Sequence, residues 1–448
     1  MKLISNTFVQ SLDSGADILT ILDNLRGRLD DNDSFFVCKL PEIIDKCLLW
    51  RSMFPRVKPY YGVNANSSCI VMETLAALGV GFDCTTKKNL VQALGAVPAN
   101  SIYLSSRLQT EGLLKYAAGA EIALLCFDNK SELEKLKKCY PDANLLIVVK
   151  TSSDEKYSFD FGCDANAGYY DLLKMARSLN MNVVGIQFDI EPKGHHQPYS
   201  KAIQLAKELF DVGSKLGFNL NLLSLGSGFP IDALNETAEE INTALDDHFP
   251  GDALTVIANP AQFFVESAYT LTCQVEYVRE VEREDAETGT TYTHYEYYIN
   301  DGVFGSFNSV LCDKQNFNLQ PLNKYPKSKT FSSSIWGPTC TNLDQIVEEV
   351  SLPAMNVGDA IIFNNMGFYT ASAHSGFPLK KVYIVSDDEV WLRESGEQHD
   401  TKEVYFVMGN QTELMKAQKR KQDPTERPDT EATVDGSEII QVEYDGIQ

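Results

Sequence analysis

From Tyr60 to about Val265 the chain repeats one beat eight times: a short apolar run, a polar turn, then a segment whose apolar residues recur at i, i+3, i+4 and i+7. The apolar runs are YYGVN (60–64), VGFDC (80–84), IYLSS (102–106), IALLCF (122–127), NLLIVV (144–149), VVGIQF (183–188), LNLLSL (220–225) and LTVIAN (254–259). Strands alternating with amphipathic helices pair in parallel, because each helix returns the chain to the edge where the next strand starts. Eight such units suggest closure into an α/β (β/α)8 TIM-like barrel, with a doubly wound open sheet as the alternative. After Ser267 the beat stops. AYTLTCQVEYV, TYTHYEYYIN, DAIIFNN, KVYIVSD and EVYFVMG are β-branched and aromatic runs without helices between them, which predicts a C-terminal antiparallel β-sandwich or barrel domain. The early run SFFVCKL (34–40) is predicted to pair into it. The expected organisation is therefore an N-terminal segment over 1–40 that pairs with the β domain, the barrel over 41–266, the β domain over 267–412, and a polar, acidic, disordered tail over 413–448.

The 448 residues carry 39 Lys+Arg against 62 Asp+Glu, a formal charge of −23. Such a surface repels phosphate backbones and anionic lipid over a Debye length of about 8–10 Å, so nucleic acid and membrane are excluded as expected partners, though a local basic patch still suits an acidic one. No apolar run approaches the roughly 18 residues that span a bilayer, and MKLISNTFVQSLDS is too polar for a secretory core, so a cytoplasmic protein is expected. The ten cysteines include no Cys-x-x-Cys pair, which points to reduced thiols and no zinc site. His195 and His196 are adjacent, and adjacent side chains rarely aim at one ion, so no metal is expected. The basic run Lys416–Lys421 reads as a solvated helix end rather than a localisation signal.

In a barrel of this kind the chemistry sits at the C-terminal strand ends. Those ends are VNANS (63–67), FDCTTK (82–87), VVKTS (148–152), FDIEPKGHH (188–196), LGSGFP (225–230) and ANPAQ (258–262). The Gly-Ser-Gly turn suits either a phosphate cradle or a plain tight turn.

The motifs PYYGVNAN (59–66), LAALGVGFDCTTK (75–87), LLKYAAG (113–119), GSGFP (226–230), YYINDGVFGSFN (297–308), SSSIWGPTC (332–340) and VGDAIIFNNMGFYT (357–370) resemble eukaryotic ornithine decarboxylase and the antizyme inhibitors, from residue 20 to about 395. The resemblance implies a pyridoxal phosphate (PLP) barrel packed on a β domain, and head-to-tail dimers. It also aligns Asn64 with the lysine that bonds the coenzyme, and an amide forms no Schiff base. Asn259 stands for the carboxylate that protonates the pyridine ring, and Gln262 for the phosphate-binding arginine. Asp189 replaces the ring-stacking histidine, where its charge would repel a phosphate by roughly 1–4 kcal/mol at about 4 Å. Pro192, Val148, Asn89 and Ser227 also depart from the pattern, as do Thr341 and Phe304. Asp83, Asp313, Cys340 and Tyr369 match it. The expectation is a degenerate site with no catalytic residues and no cofactor, PLP being lost; Lys150 as a substitute base is weighed against a plain solvent-facing lysine.

The expected function is that of a catalytically inactive ornithine-decarboxylase-like protein that regulates polyamine metabolism by binding a protein partner, as antizyme inhibitors do. In the family the antizyme-binding segment corresponds to Arg107–Leu133, where Lys115, Tyr116, Ala117 and Ala118 match its core while Glu111 and Glu121 add acidity. Two alternatives stand beside this. One is a regulatory subunit that heterodimerises with an active ornithine decarboxylase and lends it Asp313 and Cys340; the other is a decarboxylase-family enzyme with altered chemistry.

Overall fold

A computed structural model describes residues 10–12, 17–28, 33–151, 161–188, 190, 198–311, 317–325, 329–370 and 380–387. Eight parallel strands, Val57–Gly62, Gly81–Cys84, Ile102–Leu104, Leu124–Phe127, Asn144–Val149, Asn182–Phe188, Leu222–Ser224 and Thr255–Ala258, follow one another round a closed barrel. The eighth returns to the first with Val256 opposite Val57, which excludes the open sheet. Helices Cys69–Ala77, Lys87–Leu94, Glu111–Gly119 and Lys130–Cys139 follow the first four strands, and each starts where the sequence supplies a side-chain cap. Ser68, Thr86, Thr110 and Asn129 accept backbone N–H groups of the first turn that would otherwise lack partners.

The barrel interior is filled by Tyr103, Leu124, Cys126, Leu146, Val148 and Ile257. The Tyr103 hydroxyl donates to the Gln187 amide oxygen, so the phenol is buried with a partner. Gly185 is required by close approach: a Cβ there would overlap the Leu222 carbonyl. Outside the strands, the helix Leu40–Met53 brings Trp50 into an aromatic cluster, stacked on Phe54 at 4.2 Å and edge-on to Phe229 at 5.0 Å.

Phe35–Lys39 precedes the barrel in sequence but lies inside the second sheet, antiparallel to Tyr269–Glu284 with Cys38 opposite Tyr269, and parallel to Lys381–Asp387. The sheet is mixed rather than purely antiparallel. Thr291–Ile299 and Thr330–Trp336 also run parallel, because the chain between them crosses back through the Asn308–Leu311 turn and the Asn318–Pro321 strand instead of turning tightly. The run EVYFVMG and the acidic tail lie outside the described residues.

One buried polar chain in this sheet makes stability pH-dependent. His294 is fully buried, its Nδ1 2.9 Å from Ser332 Oγ and its Nε2 3.0 Å from Ser334 Oγ. Trp336 Nε1 donates to Ser334 Oγ at 2.9 Å, and Ser332 Oγ donates to Glu349 at 3.0 Å. An indole only donates and a carboxylate only accepts, so the intervening protons run one way: Ser334 donates to Nε2, and Nδ1–H donates to Ser332. A proton on Nε2 would make Ser334 accept twice and take away the acceptor for its own hydroxyl hydrogen. Burial first, and then the charge of Arg283, hold this imidazole below the usual histidine value, against the opposing pull of Glu296 and Glu349. The unfolded chain then takes up this proton at a higher pH than the folded one does. Stability is at its full value above about pH 6.5 and falls as the pH drops from there towards the lowered folded value. Urea midpoints at pH 7 and pH 5.5 should differ less in His294→Gln than in the parent; an equal drop in both would remove His294 as the cause.

Candidate functional site at the barrel mouth

The first barrel strand ends at Gly62, and the turn after it presents Asn64 to solvent, where its Nδ2 donates to Thr85 Oγ1 at 2.5 Å. Thr85 follows the second strand and in turn donates to Asn89 Oδ1 at 3.3 Å. Asn89 is buried because it closes a capping box: its side chain accepts from Thr86 N at 3.1 Å, while its own N–H reaches Thr86 Oγ1 at 3.2 Å. The amide at position 64 is thus tied through a threonine to the start of the second barrel helix.

Asp83, at the end of the second strand, is the one carboxylate of this cluster among the described residues. Ser105 donates its hydroxyl to Oδ1, and Asn259 Nδ2 donates to Oδ2 at 2.9 Å. Burial raises the Asp83 pKa, and the hydrogen bonds from Ser105 and Asn259, with the charge of Arg107, pull it back. Asn259 uses its other atom equally fully: Oδ1 accepts from Gly62 N at 3.1 Å and from Ala261 N at 3.2 Å. One side chain therefore joins the ends of the first, second and eighth strands. Gln262, on the short helix Ala261–Val265, bonds to Glu266 at 3.3 Å instead of to this cluster.

The second sheet closes on the same mouth. Tyr369, with φ of 57°, donates its N–H to Ala65 O at 2.9 Å, and Asn66 Nδ2 donates to Gly367 O at 3.2 Å. Gly226 and Gly228 have φ of 69° and 87°, so the turn after the seventh strand needs glycine for its backbone path alone. Asn259 N donates to Gly226 O at 2.7 Å and fastens that turn to the cluster.

Cys340 is exposed, with φ of 56°. Its turn is organised by Asp344, which accepts from Val303 N at 2.7 Å and Thr339 N at 2.9 Å, joining the WGPTC and NDGV turns. Asp189, His195, His196 and Asp313 lie outside the described residues. Among the described residues no group of three His, Cys, Asp or Glu side chains could hold a metal ion, and no helix is long and apolar enough to cross a membrane. Lys150 is half-buried, with its N–H on Cys163 O at 2.9 Å.

On the third barrel helix, Lys115 is exposed and Ala118 half-buried. Tyr116 is half-buried beneath Lys87 Nζ, 4.7 Å from the ring centroid. Ala117 corrects the sequence reading of an exposed segment: it is fully buried on the core face with Leu113 and Leu114, so it packs the helix. Lys138, on the next helix, was not singled out from sequence, yet it bonds Glu111 at 2.6 Å. Ser105 and Thr85 were missed as well, since a lone hydroxyl in a strand-end turn has no pattern to reveal it.

Comparison with known proteins matches residues 40–266 to the family described as pyridoxal-dependent decarboxylase, pyridoxal binding domain. The chain is 38% identical over 405 residues to ornithine decarboxylase of Mus pahari, covering 85% of this chain and 87% of that one. It is 37% identical over 379 residues to antizyme inhibitor 2 of Xenopus laevis, covering 81% and 82%. Among solved structures, the Paramecium bursaria Chlorella virus arginine decarboxylase bound to agmatine superimposes with a TM-score of 0.74 at 25% identity, over 82% of this chain and all of that one.

These findings overturn the expectation of a barrel without PLP: the matched domain is a pyridoxal-binding one, and substitutions at single positions do not take the chain out of that group. Among the described residues the mouth offers amide and hydroxyl donors and one carboxylate acceptor. They offer hydrogen bonds to a polar ligand, but Asn64 offers no amine for covalent attachment. The barrel, the sheet that closes on its mouth and the breadth of these matches lead to one assignment: the chain belongs to the pyridoxal-dependent decarboxylase family, among the ornithine decarboxylases and antizyme inhibitors.

Proposed function

We propose that this is a cytoplasmic ornithine-decarboxylase-like protein without decarboxylase activity, which regulates polyamine metabolism by binding antizyme in place of the enzyme. The observation that carries the reading is the amide at position 64, hydrogen-bonded to Thr85 at the end of the first barrel strand. Decarboxylation in this family begins from a coenzyme held covalently by a lysine, and no hydrogen bond from an amide substitutes for that bond. The neutral Asn259, with both amide atoms already engaged, supports the same reading. The proposal does not depend on an empty barrel, since it concerns the missing covalent bond and not whether PLP binds.

Partner binding finds support in a local reversal of charge. Residues 87–142 hold eight Lys and Arg against six Asp and Glu, a net +2 in a chain of −23. Lys115, Tyr116 and Ala118 lie on this stretch, and a locally positive segment on an acidic protein draws an acidic partner while the rest of the chain discourages others.

Two measurements test the proposal. Purified full-length protein given ornithine and PLP should release no carbon dioxide above a protein-free blank. Added to antizyme-inhibited ornithine decarboxylase, it should restore that enzyme's activity as it is titrated in. Turnover proportional to the amount of this protein would overturn the first half, and unrelieved inhibition the second. The exposed Cys340 turn favours one further reading, a heterodimer with an active ornithine decarboxylase, for which co-elution of the two chains is the expected sign.

A further inference from the structure

Two exposed lysines of this stretch are engaged by one of the protein's own carboxylates. Glu111, in the first turn of the third barrel helix, places Oε1 2.6 Å from Lys138 Nζ and Oε2 3.4 Å from Lys115 Nζ. Lys135, by contrast, serves the fold: it donates to Gln109 O at 2.7 Å and to the buried Glu132 at 2.6 Å. Of these three lysines, Lys115 and Lys138 are exposed, and both bond the Glu111 carboxylate.

The loop before Glu111 is hydrogen-bonded to the fourth strand and presents an apolar knob. Gln109 is buried and its Nε2 donates to Ser106 O at 3.0 Å and to Cys126 O at 2.6 Å, so the loop is pinned to the fourth strand. Between these anchors Leu108 stands 78% exposed. A large aliphatic side chain held out in water by a hydrogen-bonded loop is suited to fill a partner's pocket, with lysines at its rim to pair with carboxylates.

We propose that Glu111 is an internal competitor: its carboxylate occupies Lys115 and Lys138, and an acidic protein partner docks on Leu108 and these two lysines by displacing it. This rests on the antizyme-binding reading for the partner's identity, but the competition itself does not. Glu111 costs the face one charge and two engaged donors, so the protein as it stands binds more weakly than its lysines allow, and salt acts on the clamp and the docked pair alike. Exposed ion pairs are weak enough to open on encounter.

The test uses the full chain and two probes, purified antizyme and a deca-glutamate peptide. With Glu111→Gln, which keeps the Thr110 cap and a good helix former, affinity for both probes should rise about fivefold at 50 mM salt and the gain should largely vanish at 300 mM. Lys138→Gln should lower it by a similar factor. Leu108→Ala should weaken antizyme about tenfold at both salt concentrations while leaving the peptide unchanged. Unchanged or weaker binding of both probes by Glu111→Gln overturns the competition. A gain for deca-glutamate without antizyme binding by any variant keeps the competition and refutes the choice of antizyme. Loss of Leu108 without effect on antizyme overturns docking at this face.

Discussion

Asn259→Glu is expected to cost about 3 kcal/mol of stability at pH 7, even though it puts back a carboxylate where the family resemblance expects one. The Asn259 amide donates to Asp83 Oδ2 at 2.9 Å. A carboxylate in its place removes the donor and sets two negative charges about 3 Å apart; at an effective dielectric of 20 their repulsion is roughly 5 kcal/mol, part of which the pair escapes by binding a proton. Folded carboxylates of this kind have pKa values raised above their unfolded ones, so the cost is fully present above the folded value. It shrinks as the pH falls and is gone below about 4, where the unfolded chain is protonated too. Urea unfolding from pH 7.5 to pH 4.5 would show the variant approaching the parent on acidification. A variant as stable as the parent at neutral pH would mean that Asp83 and Asn259 do not touch. For the same reason Asn64→Lys alone is not expected to yield ornithine turnover: the new amine would stand beside Thr85 with the rest of the cluster still built around amides.

Trp50→Ala should be the most damaging single truncation, at about 3–5 kcal/mol, the usual range for emptying a fully buried aromatic site. Trp50 has no exposed surface, stacks on Phe54, meets Phe229 and Phe264 edge-on, and donates its indole N–H to Val57 O at 3.1 Å. Phe229 belongs to the turn after the seventh barrel strand and Phe264 to the helix after the eighth, so the cavity would open between these two segments and the helix Leu40–Met53. Trp50→Phe, which keeps the stacking and loses the hydrogen bond, should recover more than half of the loss. Chemical unfolding midpoints decide it; an alanine variant within 1 kcal/mol of the parent would mean that the cluster collapses to fill the space, contrary to the close packing of such interiors.

The barrel was legible because its beat is a local property. All eight apolar runs overlap a barrel strand, and the misplacements are at ends: the first strand begins at Val57, hidden because Lys58 and Pro59 interrupt the apolar run. The direction of pairing in the second sheet was not legible, since it depends on where the chain crosses and not on which residues it contains. The same division holds at the mouth. Asn64 and Asp83 were named from motifs, whereas the bond joining Asp83 to Asn259 spans 176 positions and leaves no trace in either neighbourhood. Ala117 shows a different failure. Its match to a family motif suggested a contact, while its spacing from Leu113 and Leu114 already put it on the helix face that turns inward. Asp344, which builds the turn beneath Cys340, is one acid among many in a polar stretch, and only its buried partners distinguish it.

The strand Phe35–Lys39 bears on how the molecule is made. It leaves the ribosome before any part of the barrel, yet both of its neighbours in the sheet, Tyr269–Glu284 and Lys381–Asp387, are synthesised after the barrel is complete. During that interval an apolar edge with no partner waits in a crowded cell, a risk for misassembly that grows with elongation time. Slow codons between the barrel and Tyr269 should therefore lower the soluble yield of this protein more than equally slow codons downstream of Asp387.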